Sequence, residues 1–363
     1  MSNITYVLSD FSEFQAGCFQ VRVQEPFLQL QKMGHNVDYV IQNEYQYPEL
    51  DKTDVVLYSR TYTKDPFRAL WKHRLDGKKI VYDIDDDVFN IPKLNPAHEA
   101  YKDLKNQVEG LCIEADLVIT STEALKKVIE KNTPQRNIKV IENGINLNKF
   151  RKVENKELRI GWTGGANHYE DINIILDVII DLQKEYDFKF IIQGLTGSPW
   201  DADAYSTNLM LRKGVLEGTK KDLYEFKMKI YEKFRQMKNF KHIPFYPPEM
   251  YPDVLSKASL DIGLIPIMGH EFDNSKSLIK YLEYTATGAA VLASNEPPYS
   301  GNVINTTKNK YNNWKKELTK LITNEKYRKD LAAKQHKQLF PKYEIQNTGK
   351  VWDTTIKELL KVV

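Results

Sequence analysis

Residues 272–294 read FDNSKSLIKYLEYTATGAAVLAS. Asn274 and Ser275 are polar residues of the kind that cap a helix, and Leu278, Ile279, Leu282 and Ala286 follow at the spacing of one buried helical face. Gly288 predicts the stop, because only glycine enters the left-handed conformation after a helix without a Cβ penalty. Residues 289–293 are then continuously apolar, as expected of a strand buried on both faces of a parallel sheet. A helix feeding such a strand is half of a βαβ unit. Helix N-termini in these sheets face the ligand crevice and favour anions. Lys276, expected in the first turn, suits a phosphate, and Glu283, two turns on, suits the two hydroxyls of a ribose.

The same alternation extends in both directions. Before this stretch, residues 158–162 predict a strand, 163–168 (TGGANH) a glycine loop, 171–186 a helix, 188–193 a strand, 250–258 a helix and 260–266 a strand. The first half repeats the pattern, with strands at 4–8, 37–41, 54–59, 79–84, 117–120 and 138–141. Helices are expected between them, at about 22–33, 65–74, 97–115 and 122–131. Residues 143–155 are polar and aperiodic and mark the boundary. The expectation is an α/β protein of two tandem Rossmann-like, doubly wound parallel sheets. Residues 1–150 form the first domain and 156–340 the second, with helices through 313–339 and a final helix at about 345–363.

The 363-residue length agrees with about two domains at roughly 150 residues each. A hydrophobic content of 41% with 28% charged residues is ordinary for a globular protein. Cys18 and Cys112 form no ligand pattern and read as reduced thiols of a cytoplasmic protein. The first residues lack a signal-peptide pattern and no apolar run is long enough to span a bilayer, though association at a membrane surface stays open. The net charge of +3 points to no partner. One segment departs from it. Within a helical insertion at about 195–241, residues 212–241 carry a net +6. This is either a solvated helix face or a surface for an anionic or polyhydroxyl acceptor, nucleic acid included, for a membrane surface or for a partner subunit.

The chemistry-bearing motifs are few. Gly164 and Gly165 join a buried strand to a helix, where backbone N–H groups approach a pyrophosphate, but the G-x-G-x-x-G spacing of nicotinamide-binding proteins is missing. Asp83, Asp85, Asp86 and Asp87 end another buried strand. Such repelling carboxylates are answered by a divalent cation, by a polyhydroxyl acceptor, or by simple exposure.

With these motifs the chain resembles the retaining, nucleotide-sugar-dependent glycosyltransferases of the GT-B fold, related to the bacterial group 1 enzymes. The resemblance is carried by IGWTGGANHYED at 160–171, YPDVLSKASLDIGLIPI at 251–267 and NSKSLIKYLEYTATGAAVLAS at 274–294. Gly17 with Arg22, Gly34 with His35, VYDIDDDVFNIP at 81–92 and VIENGIN at 140–146 carry it more weakly. It implies a hexosyltransferase with a cleft between its domains, the donor on the second, and a last helix that packs back on the first.

Residue by residue, the resemblance gives Glu283 the ribose. Ser275 stands where many relatives place a second glutamate beside the sugar. Lys276 and the Gly164–Gly165 loop take the diphosphate, with Arg22 and Gly17 reaching it from the opposite domain. His168 and Asp85 complete the catalytic candidates. The donor expected is a UDP-sugar, with no obligatory cofactor or metal. A nucleotide-sugar epimerase or phosphorylase of the same fold, and a non-catalytic nucleotide-sugar-binding protein, are the competing expectations. Acceptor and oligomeric state stay open.

Overall fold

A computed structural model describes residues 1–8, 17–41, 50–60, 66–95, 98, 104–165, 168–195, 219–340 and 342–361. They form two six-stranded parallel sheets. The first contains β1 (Asn3–Leu8), β2 (Asn36–Ile41), β3 (Val55–Ser59), β4 (Lys79–Ile84), β5 (Leu117–Thr120) and β6 (Ile138–Val140), in the order β2-β1-β3-β4-β5-β6. The second contains β7 (Arg159–Gly164), β8 (Lys189–Gly194), β9 (Phe240–Ile243), β10 (Ile262–Ile265), β11 (Ala290–Ser294) and β12 (Thr306–Thr307), in the order β12-β11-β10-β7-β8-β9. The order reverses between β1 and β3 and between β7 and β10. Doubly wound sheets bind ligands at the carboxyl ends of the strands at such reversals.

Both faces of each sheet are buried, which explains the unbroken apolar runs. On β11, Ala290 and Leu292 point to one core, with Trp162, Ile192 and Trp314. Val291 and Ala293 point to the other, with Leu255, Tyr281 and Tyr284. This is the two-residue period of a strand. In the first domain, Val56, Tyr58, Ile80 and Tyr82 pack on Val108 and Leu111 of the helix Lys105–Glu114. The opposite face holds Ile4, Tyr6, Leu57 and Val81, and it is closed by Trp352, Ile356 and Leu359 of the last helix, Ile345–Lys361. That helix lies against Glu25–Lys32.

The 272–294 stretch differs from its expected form at its start. Asn274 and Ser275 do not cap the helix. A short helix, Glu271–Asn274, comes first, capped by His270 in a reciprocal box with Asp273. Residues 275–278 link it to the helix Ile279–Ala286, so Lys276 precedes that helix. The linker is held from the other domain. Thr122 Oγ1 donates to Ser275 O at 2.9 Å, and Asn143 Nδ2 donates to Ser277 Oγ at 2.8 Å.

The buried face also differs, being Tyr281, Leu282, Tyr284 and Thr285. The two tyrosines enter the core because their hydroxyls are satisfied, Tyr281 OH donating to Ile304 O at 2.7 Å. Gly288 ends the helix at φ 81° as expected. β9 and the second capped helix at Asn324 were not expected. In the basic insertion, residues 196–218 lie outside the described residues, and Thr219–Arg235 is helical with Ile230, Tyr231 and Phe234 in the core. Among the described residues no helix is long and apolar enough to cross a membrane.

Candidate active site

The carboxyl ends of the two sheets enclose a 420 Å³ cavity to which both domains contribute. β7 delivers Thr163, Gly164 and Gly165 to it, and β8 delivers Gln193 and Gly194. Glycine is required here by close approach. A Cβ on Gly164 would strike the Trp162 ring, and one on Gly194, at φ +88°, would strike Gly164 O. Behind the loop, Tyr284 OH accepts from Thr163 N at 2.7 Å and donates to Thr163 Oγ1 at 3.3 Å. Thr163 Oγ1 lies 3.1 Å from Tyr251 OH, which donates to Glu283 Oε2 at 2.9 Å. With the tyrosines donating in this sense, the hydroxyl chain ends on the Glu283 carboxylate.

The helix Ile279–Ala286 presents Ile279, Lys280 and Glu283 to the cavity, opposite its tyrosine face. Burial raises Glu283 to about 7, against the opposing pull of Tyr251 and Lys280. Burial lowers Lys280 to about 8. Lys280 Nζ also stands 4.9 Å from the centre of the Trp162 ring. From the first domain come Arg60, Asp85 and Asp86. Arg60 follows β3 in the left-handed region at φ 45°, a conformation common at functional sites in non-glycine residues. Its Nε is 3.4 Å from Asp85 Oδ1 and its Nη2 is 3.3 Å from Asp86 Oδ2. Lys276 Nζ reaches across the domains to Asp86 Oδ1 at 2.5 Å. Burial opposes ionisation of Asp86, but Lys276 and Arg60 outweigh it and hold the carboxyl at about 2.

No protein-family model matches the chain, and no curated protein matches it in sequence. Solved structures do match in shape. Sucrose-phosphate synthase from Thermosynechococcus elongatus superposes with a TM-score of 0.71 at 11% identity, over 100% of both chains. HepE from Anabaena, solved with UDP and glucose, gives 0.65 at 12% identity, over 99% of this chain and 100% of that one. An alpha-glucosyltransferase solved with UDP and a 13-mer DNA containing a HMU base gives 0.64 at 13% identity, over 99% of each. The chain has the GT-B glycosyltransferase fold.

Within this GT-B frame, Gly17, Asp85, Gly164, Gly165, Lys276 and Glu283 all line the one cavity, although they come from both halves of the sequence. Three other expected site residues do not. Arg22 is 1% exposed. It pairs with Asp83, donates to Ile141 O at 2.6 Å and to Asn143 Oδ1 at 3.0 Å, and lies under the Trp352 ring at 5.4 Å. Arg22 therefore ties β4 to the segment after β6 and does not line the cavity; burying it without Asp83 would leave a bare charge. Ser275 is buried with its Oγ toward Asp87 at 3.5 Å, outside the cavity lining.

His168 stands behind the glycine loop, its ring edge-on to Trp162 and its Nδ1 2.7 Å from Asp171 Oδ2. Burial and Lys280 lower its pKa against the opposing pull of Asp171, and its side chain does not line the cavity. Ala166 and Asn167 of the same loop lie outside the described residues.

The four aspartates each have their own partner, Asp83 with Arg22, Asp85 with Arg60, Asp86 with Lys276, and Asp87 with Phe89 N and Asn90. Arg60, Lys280, Tyr251 and Gln193 are the site residues that motif reading passes over. Lys280 carried a legible signal, three residues before Glu283 on one helical face. Arg60 carried only its place after a buried strand.

Proposed function

We propose that the protein transfers a sugar from a UDP-sugar to a hydroxyl acceptor with retention of configuration. The observation that carries this is the convergence of Lys276, Lys280 and Arg60 with the Gly164–Gly165 loop and Glu283 around one interdomain cavity. In this reading the diphosphate takes the place Asp86 now fills beside Lys276, and the lysines stabilise the charge that develops as the glycosidic bond breaks. Glu283, oriented by Tyr251, accepts the ribose hydroxyls. The structures of HepE and the alpha-glucosyltransferase hold UDP, which supports uridine as the donor base.

Asp85, whose buried Oδ1 lies in the cavity wall 3.4 Å from Arg60 Nε, faces the acceptor hydroxyl. That hydroxyl attacks on the face from which the phosphate leaves. Because the Asp83–Asp87 carboxylates are already engaged by protein groups and three protein cations face the diphosphate, we assign the reaction no metal. Turnover is therefore expected to survive EDTA, and its abolition with recovery on adding Mg²⁺ or Mn²⁺ would refute that assignment.

The acceptor belongs to the polyhydroxyl or polyanionic class. The DNA bound by the alpha-glucosyltransferase neighbour, together with the +6 segment, makes hydroxymethylated DNA the first polymer to try. The deciding experiment is calorimetric and thermal titration with nucleoside diphosphates and their sugars, followed by NMR of the product anomer. A donor at a hundredfold excess over Kd stabilises the protein by about 2.7 kcal/mol. No binding by any of them would end the transferase reading. Sugar isomerisation without an acceptor would show an epimerase, and binding without turnover a silent module.

A further inference from the structure

Gln193 is 3% exposed and lines the donor cavity, yet its Oε1 is buried with no hydrogen-bond partner. A buried carbonyl oxygen left without a partner is costly and calls for an explanation. Gln193 sits near the end of β8, in register with Thr163 on β7 and Ile243 on β9. Thr163 belongs to the hydroxyl chain that ends on Glu283. Moving across the sheet from Glu283, the cavity thus passes Thr163, then Gln193, and then the segment after β9. There Phe245, Tyr246, Pro248 and Pro252 make a largely apolar wall, with Phe245 51% exposed. If Glu283 holds the ribose and the cations hold the diphosphate, this opposite end receives the base. A flat ring with one hydrogen-bonding edge fits a wall of aromatic and proline side chains interrupted by one unsatisfied amide oxygen.

We propose that Gln193 reads the nucleobase of the donor, its side-chain amide pairing with the N–H and C=O edge of a uracil that lies against the wall formed by residues 245–252. An amide places an acceptor beside a donor, and here the atom without a partner is the acceptor Oε1, which takes the N3–H of uracil, a donor that cytosine N3 lacks. This inference rests on the donor-binding reading given above and extends it to specificity. Gln193 acts on binding, and the sugar-transfer step does not involve it.

The test is calorimetric titration of UDP, CDP, GDP and ADP against the wild-type protein, Gln193→Met and Gln193→Glu. Methionine keeps the length of the side chain and removes its hydrogen bonds. The wild type is expected to prefer UDP, and Gln193→Met to lose about tenfold in UDP affinity, with little change for the other three, so that the preference collapses. Gln193→Glu keeps an acceptor and loses the donor, so its UDP-to-CDP ratio is expected to fall, because a carboxylate accepts from the cytosine amine. If Gln193→Met does not fold, the ratio in Gln193→Glu decides. Unchanged base preference in the folded variants would overturn the role of Gln193 and leave the donor site standing. A wild type that binds no nucleoside diphosphate would overturn the donor reading itself.

Discussion

Glu283 and Lys280 are both charged only in a narrow range of pH. Burial raises the Glu283 carboxyl to about 7 and lowers the Lys280 ammonium to about 8. Below the first value the ribose loses its carboxylate, and above the second the diphosphate loses a cation. Affinity for a UDP-sugar, whose diphosphate stays ionised throughout, is expected to peak between these values and fall on both sides. Glu283→Gln should remove the acid limb and Lys280→Met the alkaline limb, as measured by titration calorimetry across the range. A flat wild-type profile would contradict the placement of both groups. Glu283→Ala should cost roughly 1.5–3 kcal/mol of donor binding, the scale of a hydrogen bond to a charged group.

At this scale the sequence was partly legible. Lys276, Glu283 and the glycines are short-range patterns tied to strand and helix ends. The partners of Arg22 were not legible, because Asp83, Ile141 and Asn143 lie at distances along the chain that no local pattern reveals.

Among the elements, β10 and the helix Ile279–Ala286 have to approach closely for the site to form. Gly263 on β10 makes that approach possible, since a Cβ there would come within 2.5 Å of Tyr284 Cδ2. Gly263→Ala is expected to lower stability by about 1–3 kcal/mol through overpacking. It should also weaken donor binding, because Tyr284 pins Thr163 and with it the glycine loop. Denaturant unfolding and UDP titration check the two effects, and loss of stability with unaltered binding would show that the loop does not depend on Tyr284.

The strands were readable because sheets buried on both faces leave continuous apolar runs. The start of the 279–286 helix was not. Asn274 and Ser275 have capping chemistry, but contacts from Thr122 and the aspartate loop of the other domain claim that linker. Tertiary partners of this kind outweigh local propensity.

For the molecule as a whole, the cavity is bridged by Asp86–Lys276, with Thr122–Ser275 and Asn143–Ser277 beside it. The folded pKa of Asp86 is about 2, below the 3.8 usual for an aspartate. The stability it contributes is therefore present above about pH 4 and lost as pH falls toward 2. That difference is worth about 2 kcal/mol at neutral pH. Asp86→Asn is expected to lower stability by that amount at pH 7 and to flatten acid unfolding over that interval. It should also tighten UDP binding, since Lys276 no longer has to leave a carboxylate. Unchanged stability together with unchanged affinity would show that the bridge carries no energy.

The last helix has a consequence for how the chain is made. Trp352 covers the Arg22–Asp83 pair, and Ile356 and Leu359 finish the core of the first sheet. As the polypeptide leaves the ribosome, the first sheet is synthesised early, but the face that Val23 and Leu30 cover in part still lacks Trp352, Ile356 and Leu359. The second sheet closes its main core from its own residues before Trp352 has been added. Synthesis and maturation thus run in opposite directions, and the half made first is the half finished last.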